Sequence, residues 1–163
     1  MAAWETESRS WGGLIQPLSS RAKRLLCLDA IGLCLASLRP SPEEALGAPT
    51  ARLARRALDL LRQQAGDSPP GEPDEEFLDS LRALREGDHS PAAASIATAL
   101  TECAGAMPAG LDASNVFVVM SACYEAVRQA ERTPRATAAE RANQTLTRLI
   151  AAQRGLIDAA VPV

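Results

Sequence analysis

The stretch LLCLDAIGLCLASL, residues 25–38, decides how the chain folds. Wound as a helix it is apolar on nearly every side, and a helix of that kind belongs at the centre of a bundle. Its 14 residues fall short of the roughly 20 needed to span a bilayer. The run begins far from Met1, contains Asp29, and is followed by a proline-acid segment where a cleavage site should be, so it reads as a core helix and not as a signal peptide. The first helix is therefore expected over residues 20–38, stopped at Arg39-Pro40.

The rest of the chain shares the bias. Of 163 residues, 32 are alanine and 21 leucine, whereas valine and isoleucine together supply 11. The best helix formers dominate and the β-branched residues that sheets favour are scarce. The length suits one domain with a real core and no need of metal or disulfide staples. The expectation is an all-α fold, a single compact bundle of five to six helices over residues 19–163. Residues 1–18, broken by Gly12-Gly13 and Pro17, read as an irregular leader packing on that bundle, and they hold both tryptophans, Trp4 and Trp11.

Capping signals place the other helices. Ser41-Pro42-Glu43-Glu44 is a capping box with proline at the first helical position, opening a short turn that ends near Gly47. A second long helix is predicted over residues 50–65, with Leu53, Ala57, Leu60 and Leu61 inward and Arg52, Arg55, Arg56, Asp59 and Arg62 outward. DSPPGEP, residues 67–73, is a proline-glycine loop and the clearest break in the chain. A third helix follows over residues 74–86, and a fourth, capped by Ser90-Pro91, reaches about residue 105. The block Val116 to Met120 could be a strand by itself, but its continuation through Tyr124 to Gln129 keeps helical spacing, giving a fifth helix over residues 114–132. Thr137-Ala138-Ala139-Glu140 is a second capping box that opens the last helix. There Ala139, Ala142, Leu146, Leu149, Gln153, Leu156 and Ala160 form a seam that suits packing within the bundle or a homodimer.

Site chemistry is sparse. The one histidine, His89, sits in a helix-to-helix turn beside Asp88 and reads as solvated rather than as a general base. Cys27, Cys34, Cys103 and Cys123 form no C-x-x-C pair. Cys27 and Cys34 lie about 10 Å apart on one helix, too far for the about 4.4–6.8 Å of a disulfide. Such thiols read as buried apolar groups in a reducing cytoplasm. No catalytic set, metal site or cofactor motif is expected, so the protein is read as non-enzymatic.

Asp29, in the most apolar helix, is expected to be buried and to need a partner such as an arginine, or else to line a pocket or meet a binding partner. Charge is more informative. Residues 19–65 carry eight basic and four acidic groups, a net of +4, while residues 67–88 carry eight acids against two arginines, a net of −6. The acids Asp67, Glu72, Asp74, Glu75, Glu76 and Asp79 read either as a solvated face or as a docking surface for a basic protein. The arginine-rich helix beside them is a poor footprint for nucleic acid at a pI of about 5.2 and is expected to pair with the acidic segment instead. Trp4 and Trp11 either seal a bundle edge or serve as exposed anchors.

The order of elements resembles the small all-helical immunity proteins of bacterial polymorphic toxin systems. The resemblance lies in the apolar helix at residues 25–38, the amphipathic ARRALDLL, the acidic loop and the later FVVMSACYEAV. It implies a cytoplasmic protein that blocks a cognate toxin by direct binding, with no chemistry of its own. The expected partner-binding residues are Asp74, Glu75, Glu76 and Asp79, with Trp4 and Trp11. No nucleic acid or membrane partner is expected. The alternative is a helical small-molecule-binding or regulatory homodimer, with a pocket near Asp29, Cys34 and Tyr124.

Overall fold

The computed structural model describes residues 2–65, 73–87 and 90–162. Among them the chain is all helix, without a strand, in ten segments rather than five to six. In order these are α1 (Ala2–Ser8), α2 (Gly12–Ile15), α3 (Ser20–Ser37), α4 (Pro42–Leu46), α5 (Ala48–Ala65), α6 (Glu75–Gly87), α7 (Pro91–Ala106), α8 (Ala113–Ala130), α9 (Thr137–Ala142) and α10 (Gln144–Ala160). His89 with Asp88, the acids Asp67 and Glu72, and all but the last residue of the proline-glycine loop lie outside the described residues.

The larger number has local causes. The leader, expected to be irregular, winds into α1 and α2, because Trp4 and Trp11 are buried and a buried backbone must satisfy its own polar groups. Ser41 accepts the Glu44 N–H at 3.2 Å to open α4, and Gly47, at φ +89°, turns the chain directly into α5. Asn143 leaves helical geometry and accepts the Leu146 N–H at 3.1 Å, which splits the expected last helix in two. The second predicted capping box does not form. Ala136 holds the cap position of α9 without a side-chain bond, and Glu140 turns instead to the N terminus, accepting the Ala3 N–H at 2.8 Å.

Helix α3 packs against α4, α5, α7, α8 and α10, burying Leu26, Cys27, Ala30, Ile31, Cys34 and Leu35. It is not enclosed on every side. Leu25 is 46% exposed, and Asp29 and Ala36 lie on the same open stripe with Gly32 and Leu33 half-buried. Asp29 is therefore exposed, not buried: it lies on a stripe of α3 that the described helices leave open to solvent, so its charge stays in water. On the opposite side α7 and α8 form the most intimate helix pair, where Ala92, Ala93, Ala97, Ala99 and Ala104 let the backbones approach. Asp112 and Asn115 build a full capping box at the start of α8, a signal the sequence reading missed. In α10 the buried stripe is Leu146, Leu149, Gln153 and Ile157. It packs inside the chain against α3 and α8, while of the expected seam Ala142 is exposed and Ala139, Leu156 and Ala160 are half-buried. No helix among the described residues is long and apolar enough to cross a membrane.

Candidate functional site

Helix α6 carries the acidic face. Its inner side is set by Phe77, Ser80, Leu81 and Leu84, all buried, with Phe77 fully so. That anchoring turns Glu75, Glu76, Leu78, Asp79 and Arg82 outward. Asp74 precedes the helix and accepts the Phe77 N–H at 2.8 Å, so this acid is a cap that satisfies an orphan amide and favours the positive end of the helix dipole. Glu76 accepts from Arg56 on α5, an ion pair that joins the basic helix to the acidic one. The bond to Glu76 raises the Arg56 guanidinium above its ordinary value. Asp79 pairs with Arg82 at 3.0 Å, one turn along α6, and both stay well exposed.

Of the four acids, then, three have intramolecular work and Glu75 has no partner among the described residues. All four are exposed, and on the same outward side of α6 lies a residue the sequence reading passed over: Leu78, 45% exposed. Glu75 lies three residues before it and Arg82 four after, so an acid and an arginine flank an apolar knob on one helix face, with Asp79 on the neighbouring face. The signal was legible in the alternation of EEFLDSLR, where Phe77 and Leu81 take the inward spacing and Leu78 falls off it.

Trp4 and Trp11 are not exposed anchors. Trp4 is 4% and Trp11 2% exposed, their rings edge-to-face at 5.8 Å, and Trp4 also meets Phe117 at 6.2 Å and Tyr124 at 6.4 Å. The Trp4 indole Nε1–H donates to Gln153 Oε1 at 2.8 Å, while the Gln153 amide donates to the Met120 carbonyl at 3.0 Å. A large ring with a satisfied N–H is more stable inside than out, which is why the leader docks.

The four cysteines are buried and free, drawn from α3, α7 and α8. The hydrogen bond with Cys103, together with burial, pushes the Cys27 thiol far up, and Cys34 does the same to Cys123. Thiols held protonated in this way are poor nucleophiles and poor metal ligands. Burial, reinforced by the Glu140 charge, likewise raises the Tyr124 phenol. Among the described residues no group of histidine, cysteine and carboxylate side chains converges as a metal site would require. Asp29, Cys34 and Tyr124, expected around one pocket, do not meet: the first is exposed and the other two lie in the core. Against protein-family models, curated proteins and solved structures alike, the chain matches none.

Proposed function

We propose that the chain is a non-enzymatic protein-binding domain of the immunity type, neutralising a basic cognate toxin by direct contact through the outer face of α6. The observation that carries this reading is the half-exposed Leu78 flanked by Glu75 and Arg82 on the outer face of an acidic helix. Interfaces concentrate their energy in a small desolvated centre and use the charged rim for steering and selection. Burying the rest of one leucine contributes about 1 kcal/mol, so the acids must supply the association rate and the choice of partner. Neutralisation by occlusion needs no catalytic group on this chain.

The test is recovery of the tagged protein with its partner from the native host, followed by affinity measurement with variants. Asp74 caps α6 and Glu76 is paired with Arg56, so the informative substitutions are Leu78→Asp, Glu75→Lys and Asp79→Lys. A single stoichiometric protein partner whose affinity falls about tenfold or more with Leu78→Asp supports the reading. A partner bound equally well by all three variants refutes it.

A further inference from the structure

Helices α3 and α5 run side by side with an open groove of about 580 Å³ along their outer edge. Each wall repeats one helical face: Asp29, Gly32, Leu33 and Ala36 from α3, and Arg55, Leu58, Asp59 and Arg62 from α5. Pro42 and Leu156 also line it, and the volume falls in the range of about 300–1,000 Å³ typical of small-molecule sites. The centre of the groove is Gly32. A Cβ built there would lie 2.7 Å from a terminal nitrogen of Arg62, so the end of the Arg62 side chain reaches over Gly32 into the space a side chain there would take.

The charges around that contact are only partly engaged among the described residues, Asp59 acting at a distance on Arg56. Arg55 is engaged with Glu43, but Arg62, Asp29 and Asp59 make no hydrogen bond or ion pair among the described residues. A ligand with one sign of charge would satisfy part of this set and face a like charge in the rest. A ligand bearing both signs on neighbouring atoms, with an apolar body for Leu33, Leu58 and Leu156, satisfies all of it.

We propose that the α3–α5 groove is a binding site for a small zwitterion of the α-amino-acid type with an apolar side chain. The carboxylate lies on Arg62, the ammonium group against Asp29 and Asp59, and the side chain along the leucines. This site is separate from the α6 face and does not depend on the reading given to it.

Titration of the ¹⁵N-labelled full chain with L-phenylalanine, followed by NMR, tests it. Saturable shifts confined to residues 29–36 and 55–62 and the neighbourhood of Pro42 and Leu156 are expected, weakened about tenfold when N-acetyl-L-phenylalanine removes the cation or L-phenylalaninamide removes the anion. Arg62→Gln should erase the preference for the acid over the amide. Gly32→Ala should do the same while the fold persists, because its methyl group displaces only the free end of a flexible side chain. Shifts that are absent, scattered over the surface or equal for the three compounds overturn the proposal. A Gly32→Ala protein that binds as the parent does overturns the role of the Arg62 contact and the proposal with it.

Discussion

The seal that α1 and α2 make on α8 and α10 contrasts with the outer face of α6. The seal is dry. It holds both tryptophans, and long-range hydrogen bonds tie it together, Trp4 to Gln153, Gln153 to Met120 and Ala3 to Glu140. The α6 face is wet, held by ion pairs whose side chains stay about half or more exposed and which contribute little in water. The chain has five aromatic residues. Four of them are fully or nearly fully buried and Phe117 is half-buried, so the aromatic content goes into stability. What the outer face of α6 presents is charge and one leucine. One region holds the fold, and the other is free to change without disturbing it.

The largest effect should come from breaking the seal. Trp4→Ala removes a buried ring, strands the Gln153 carbonyl and opens a cavity beside Tyr124, so unfolding in urea should show a loss of about 3–5 kcal/mol. A loss below about 1 kcal/mol would mean that the leader contributes no more than a surface segment, and the contrast between the two regions would collapse.

A smaller effect separates the regions by pH. Burial raises the Glu140 carboxyl, but the Ala3 N–H bond and nearby positive charge, from the N-terminal ammonium and then Arg128, outweigh it, and the group titrates below its ordinary value of 4.5. A depressed carboxyl contributes stability that is complete above that value and is lost as the pH falls through the lower folded one. Acidification below about 4.5 should therefore loosen the leader and shift tryptophan emission to the red before global unfolding. Glu140→Gln should flatten that early step. If the emission of the two proteins follows the same course with pH, Glu140 does not hold the leader.

The same contrast explains what could be read in the sequence. Long helices announce themselves through composition and capping, so the α7 cap at Ser90 and the apolar run of α3 were legible. Residues whose partners are far away in the chain were not. Glu140 lies 137 residues from Ala3 and Gln153 lies 149 from Trp4. Locally Glu140 looked like half of a capping box, and Gln153 like a flaw in a seam. Asp29 was misjudged for a related reason. A charge in an apolar helix signals either a buried partner or an open face, and only the placement of α5 and α10 decides between them. The acids of α6 were visible as charge, but the knob at Leu78 appears only once Phe77 and Leu81 fix which way the helix faces.

The smallest effect is the most discriminating for the α6 face. Arg56→Ala removes the ion pair with Glu76, leaving both helices anchored by Leu58, Leu61, Phe77 and Leu81. Because the pair is solvated, the melting temperature should move by no more than about 1–2 °C, and less still in high salt. The acids around Leu78 then gain one free carboxylate, which should quicken association with a basic partner at low ionic strength rather than slow it. A drop of many degrees would show that the acidic helix is a structural element clamped by Arg56, and the division between a dry seal that holds the fold and a charged face free to bind would fail. A faster association with an unchanged fold would locate recognition on α6 by the one property the seal does not have, its response to salt.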